Sequence, residues 1–190
     1  MALTGLDTQS GFATRQNYIK PTCPVSGVNV KFRGDDFDEV QTVELDIGGQ
    51  ALTLTKSSAT GYNATKILDF PAGHVTILSA YISGGVTTGA NSGATEALLC
   101  SLGSTATADA TLSSYDVDIL PSTSTTMAAR VGTIRAGMVT GTGTPRFDGT
   151  SSALDVYLNL AQAANVTTAD TSATFSSGAK ICISYIINVV

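Results

Sequence analysis

The chain has 190 residues and a formal charge of −5, from ten Lys plus Arg against fifteen Asp plus Glu. One domain is the natural division of that length, and no basic footprint exists for a nucleic-acid backbone or an anionic membrane. Charged residues make up only 13% of the chain and hydrophobic ones 43%, while Ser and Thr supply about a quarter, which is the composition of a folded β protein with an uncharged polar surface.

Residues 1–34 mix Thr, Gln, Asn and Gly with little periodicity, so they are expected to form an extended N-terminal arm. A short alternating piece, Val28–Phe32, feeds from it into a β domain over 35–190. In "TVELDIGGQALTLTK" Val43, Leu45 and Ile47 alternate with Glu44 and Asp46, and Leu52 and Leu54 with Thr53 and Thr55. Two such runs about Gly48-Gly49 predict a β-hairpin. "ATKILDF" reads as a strand stopped by Pro71-Ala72-Gly73, because proline cannot donate to a ladder. "HVTILSAYISGGV" then carries apolar residues at both parities, which predicts a central strand buried on both faces.

Beyond it, Gly84–Gly93 reads as a loop, "ATEALLCSLG" as a buried strand or a short helix, "TLSSYDVDIL" as a strand, "STSTT" as a loop, and "MAARVGTIRAGMV" as one or two strands. After the loop "TGTGTPRFDGTSS", "ALDVYLNLAQ" alternates as a strand. The closing "AKICISYIINVV" places Ile181, Ile183, Tyr185, Ile187 and Val189 on one side. About ten short strands between Gly- and Ser/Thr-rich turns predict a single all-β domain of β-sandwich or jelly-roll-like type.

Between Ile67 and Ala129 there is no Lys or Arg, and Asp69, Glu96, Asp109, Asp116 and Asp118 are the only charges. Lone soluble monomers intersperse both signs on their surface, so part of this stretch is expected to meet another subunit or protein. Cys23, Cys100 and Cys182 are scattered and odd in number, which reads as free thiols in a reducing compartment. "MALTGLDTQSGFATRQ" has no apolar h-region, so the expectation is a soluble protein made in a cytoplasm.

The only histidine, His74, leaves a single way to build an imidazole-based triad, with Asp69 as its partner; no G-x-S-x-G elbow accompanies it. "GDDFDE" gathers Asp35, Asp36, Asp38 and Glu39, oxygen ligands of the kind calcium takes, but without the order of an EF-hand loop. A solvated acidic turn is the simpler reading of them. No cofactor and no metal site are expected.

Two stretches carry a family resemblance. "DFPAGHVTILSAYISG" (69–84) is similar to the turn-and-strand segment of bacteriophage head decoration, or cement, proteins, and 147–190, with "LDVYLNL", a polar connector and a final Ile/Val strand, resembles their C-terminal half-sandwich. The resemblance implies a non-enzymatic β-sandwich, often a homotrimer, that binds the outer capsid surface of the virion and bridges major capsid protein subunits, after synthesis in the host cytoplasm. For such contacts the candidates are Leu3, Leu6, Phe12 and Arg15 of the arm and Asp35, Asp36 and Asp38 of the acidic turn; Tyr81, Tyr185 and Ile187 are candidates for trimer or core packing. The alternative is a tail, fibre or other adhesive sandwich in which "GVTTGANSG" and "TGTGTPRFDG" read a host glycan or receptor. A hydrolase built on Asp69 and His74 is the third.

Overall fold

The computed structural model describes residues 20–34, 40–138, 144–167 and 169–189. Twelve strands run in chain order: β1 (Asn29–Arg33), β2 (Gln41–Asp46), β3 (Ala51–Ser57), β4 (Thr60–Asp69), β5 (Gly73–Thr88), β6 (Leu98–Gly103), β7 (Leu120–Thr125), β8 (Val131–Gly137), β9 (Arg146–Gly149), β10 (Asp155–Gln162), β11 (Thr171–Phe175) and β12 (Lys180–Val189). Every pairing is antiparallel, in the order β1-β2-β12-β5-β11-β3-β4-β10-β6-β7, with β8 and β9 also on β5. The result is an all-β, sandwich-like fold in which one connected sheet lies over itself.

The fold closes because each strand turns one row of apolar residues inward. Val43 and Leu45 of β2, Ile181, Ile183 and Tyr185 of β12, and Ile77 and Ile82 of β5 belong to one core cluster with Ile67 and Leu68 of β4, Leu158 and Leu160 of β10, and Leu98 and Leu102 of β6. Each large side chain taken fully out of water contributes roughly 1.5–3 kcal/mol. Of the expected arm, residues 20–34 lie along this body: Thr22 and Asp69 exchange backbone hydrogen bonds of 2.9 and 2.8 Å, and β1 pairs with β2.

Several local expectations are corrected. β2 and β3 do not form a hairpin, since β2 pairs with β1 and β12, and β3 with β4 and β11. The Gly48-Gly49 turn instead lies against the β11–β12 turn, where Gly49 N donates to Phe175 O and Ile47 N to Ala179 O. A Cβ on Gly48 would come within 2.9 Å of the Gly178 nitrogen, and Gly49 has φ +84°. The two glycines therefore serve a backbone-to-backbone approach between turns.

"TLSSYDVDIL" is largely a loop containing a 3-10 turn at Ser114–Asp116, and the strand falls later, on "LPSTST". Pro121 is tolerated there because β7 closes the sheet's end and its pairing with β6 skips a step between Cys100 and Leu102. "ATEALLCSLG" resolves to strand β6, and "MAARVGTIRAGMV" to the single strand β8. The loops predicted at Gly84–Gly93 and after Thr140 contain the end of β5 and all of β9. Gly84 is in β5 because a Cβ at that position would collide with Ala179.

Burial of β5 on both faces is also corrected. Ser184 pairs with Ser79 but Tyr185 with Ile77, so Leu78 is an extra residue in β5. A bulge of one residue flips every side chain beyond it. Val75 and Ile77 before it, and Ala80, Ile82 and Val86 after it, therefore point to the same core, while Leu78 and Tyr81 are exposed.

Candidate functional site

The outer face of the layer formed by β8, β5, β12, β2 and β1 can be read directly from its register. One row across these strands is Arg135, Ser83, Lys180, Asp46 and Asn29. The next is Gly137, Tyr81, Cys182, Glu44 and Lys31, and a third runs Ser79, Ser184, Thr42 and Arg33. The rows between, such as Ala136, Ile82, Ile181 and Leu45, are core.

Glu44 organises the face. Its Oε1 accepts from Lys180 Nζ at 2.7 Å and its Oε2 lies 3.4 Å from Arg33. The Lys180 hydrogen bond, reinforced by the neighbouring charges, holds the Glu44 carboxyl below its usual range and the Lys180 ammonium above its own. Beside them Thr42 and Ser184 share a hydroxyl hydrogen bond of 2.9 Å.

Tyr81 stands 42% exposed and Leu78 39%. Gly137, opposite Tyr81 on β8, has no side chain to cover the ring, and the Cys182 thiol on its other side pushes the phenol pKa up. Around this apolar centre lie Lys31, Arg33, Lys180 and Arg135, with Arg146 on β9 opposite Thr76. Five basic groups here oppose three acidic ones, Glu44, Asp46 and Asp148, on a chain whose net charge is −5. An aromatic and aliphatic centre with an arginine-rich margin has the composition of a protein-binding surface.

The outer side of the other layer is partly covered by residues 104–119. Asn159, fully buried on β10, clamps that segment: its Oδ1 accepts from Thr107 N at 3.0 Å, and its Nδ2 donates to Thr105 O at 3.0 Å and Asp116 O at 3.1 Å. Ser101 Oγ adds a 2.7 Å bond to Asp116 O. Ser104 donates through both N and Oγ to Asp118, whose carboxyl pKa burial raises. Beside this segment a cleft of about 430 Å³ opens between Ser104–Ala106, Phe147–Gly149 and Ser152–Tyr157.

The Asp69–His74 pair is not assembled. Asp69 Oδ2 is 3.3 Å from Lys66 Nζ, which also donates to Asp155 Oδ1 at 2.9 Å, and His74 Nδ1 instead faces Asp148 Oδ1 at 3.6 Å, with both side chains more than half exposed. No Ser or Cys side chain hydrogen-bonds His74 among the described residues. All three cysteines are free, with Cys100 fully buried and its thiol pushed up to about 12 by that burial. Among the described residues no group of three His, Cys, Asp or Glu side chains could hold a metal ion, and no helix is long and apolar enough to cross a membrane.

Of the contact candidates, Leu3, Leu6, Phe12, Arg15, Asp35, Asp36 and Asp38 lie outside the described residues. Tyr185 and Ile187 pack in the core, 0% and 7% exposed, and Tyr185 meets Phe70 edge-to-face at 4.9 Å. Tyr81 is the one candidate that stands on the described surface. Arg135, Lys31 and the Glu44–Lys180 pair were not singled out by sequence reasoning; the charged positions within "VELD" and "KICIS" mark them as outward-facing, but their adjacency requires the strand order.

No protein-family model matches the chain, and no curated protein matches it significantly. What the fold and the surface define is a class: an all-β, sandwich-like protein with a broad, basic-rimmed sheet face.

Proposed function

We propose that the chain is a viral structural protein, a capsid decoration or cement protein that binds the outside of an assembled phage head and bridges its major capsid protein subunits. The reading rests on the resemblance of 69–84 and 147–190 to such proteins. The observation that carries it is the outer face of β5 and its neighbours, where Tyr81 and Leu78 stand exposed amid Lys31, Arg33 and Arg135. A face of that kind acts by contact and suits an acidic partner surface. A ligand that binds only the assembled shell stabilises it by mass action, and a homotrimer repeats the contact three times without new chemistry.

The test is co-sedimentation of the full chain with empty heads of the virus that encodes it, together with its native mass. Saturable binding to heads and a mass of three chains support the reading. Attachment to host cells with no affinity for heads overturns it in favour of an adhesive role.

A further inference from the structure

We infer that the cleft beside β10 is a binding site for a neutral saccharide, with a lining that does not include Tyr81, Leu78 or Arg135 of the proposed capsid contact. At about 430 Å³ it falls within the roughly 300–1,000 Å³ of small-molecule sites, enough for one or two sugar rings.

Its walls are held before any ligand arrives. The Ser104–Ala106 side is fixed by the Asn159 clamp and the double bond from Ser104 to Asp118. On the opposite side Asp148 Oδ1 accepts from Thr150 N at 3.1 Å and Thr150 Oγ1 at 2.7 Å, and a Cβ on Gly149 would come within 2.5 Å of Gly73 O. On β10, Asp155 accepts from Lys66 at 2.9 Å and from the Tyr157 hydroxyl at 3.2 Å. Sites with fixed walls lose less ordering entropy on binding.

The lining selects the ligand class by elimination. An anion would meet Asp148 and Asp155, and the cation beside them, Lys66, is already shared between Asp155 and Asp69. A metal ion lacks a third ligating group among the described residues. A purely apolar molecule would strand the carboxylates and the hydroxyls of Ser104, Thr105 and Ser152 without water. A sugar satisfies all of them: its hydroxyls donate to carboxylate oxygens such as Asp148 Oδ2, which has no protein partner among the described residues, and its C–H faces cover Phe147 and Tyr157, which also line the cleft. Phe147, Asp148 and Gly149 of this lining belong to the loop "TGTGTPRFDG".

The experiment is a ¹H–¹⁵N NMR titration of the full chain with a panel of neutral sugars: glucose, galactose, mannose, N-acetylglucosamine and linear oligomers of each. At least one should give saturable shifts confined to residues 104–106 and 147–157, and tighter binding of an oligomer than of its monomer would identify a polymer as the source. Asp148→Ala, at an exposed position, should weaken that binding about tenfold through the lost charged acceptor, and Phe147→Leu, which keeps the packing beneath the ring, should weaken it as well. Tyr81→Ala, outside the cleft lining, should leave it unchanged. Absence of saturable shifts with every sugar, or shifts that Asp148→Ala and Phe147→Leu leave intact, would overturn the inference.

Discussion

Tyr185 on β12 faces Ile77 on β5, one step out of phase with Ser184, which faces Ser79. The residue left over, Leu78, is what lets a strand with apolar residues at both parities keep a single core face. Removing it should therefore be tolerated. Deletion of Leu78 restores strict alternation from Val75 to Ile82 and should fold with the same core at a cost of about 1 kcal/mol, whereas deletion of Ser83 inverts everything after it and should abolish folding. Urea denaturation with near-ultraviolet circular dichroism distinguishes the two, and equal damage from both deletions would refute the bulge assignment.

Asn159→Leu should destabilise the chain by about 3 kcal/mol, since at a fully buried position it strands the Thr107 N–H and the Thr105 carbonyl and leaves Asp116 O with Ser101 Oγ alone. Limited proteolysis should then cut within residues 104–119, well before the rest of the sandwich. A cut elsewhere, or an unchanged denaturation midpoint, would show that the segment is held in some other way.

The Glu44–Lys180 pair sets a pH dependence of defined sign. The folded Glu44 carboxyl titrates below its usual value, so its contribution is present above the ordinary glutamate pKa and is lost as pH falls through the lowered one. The raised Lys180 contributes below the ordinary lysine pKa and loses that contribution as pH rises through its folded value. Asp118, raised by burial, opposes Glu44: its contribution is present below the ordinary aspartate pKa and lost as pH rises. Thermal melts from pH 2 to 6 should show a shallower acid limb in Glu44→Gln and a steeper one in Asp118→Asn, each relative to the parent chain.

Cys100 should be silent toward thiol reagents in the native state. Its thiolate is suppressed by complete burial, with a pKa of about 12, while Cys182 lies partly exposed beside Tyr81. Mass spectrometry after timed labelling at pH 8 should find Cys182 modified first and Cys100 only at the rate of global opening, so that its labelling slows in proportion to any stabilising mutation.

Tyr81→Ala and Arg135→Glu should abolish head binding while changing stability by no more than about 0.5 kcal/mol, as befits exposed positions. Higher salt should weaken binding of the parent chain. Head binding that survives both substitutions would move the contact to another surface.

The fold class was legible without coordinates because it rests on alternation and composition, which are local. The final strand shows this best: Ile181, Ile183, Tyr185 and Ile187 were placed on one side by spacing alone, and all four are buried. "TVELDIGGQALTLTK" was read correctly as two one-faced strands and wrongly as a hairpin, since Gly-Gly permits a tight return but does not require one. "LPSTST" escaped detection because hydroxyl side chains give no hydrophobic period, and β7 is a strand through its ladder to β6.

The candidate sites were less legible still. His74 drew attention as a rare residue, yet its neighbour is Asp148, far away in sequence, and Tyr81 gained its meaning from Gly137 and Cys182 on two other strands. The sequence by itself determined which side of each regular strand is apolar, because a side chain's preference for water or for a core belongs to that residue. Only the tertiary structure decided which strands are neighbours, which residue is left over in β5, and which charges share a face, because cross-strand register is set by packing between segments that the chain order keeps apart.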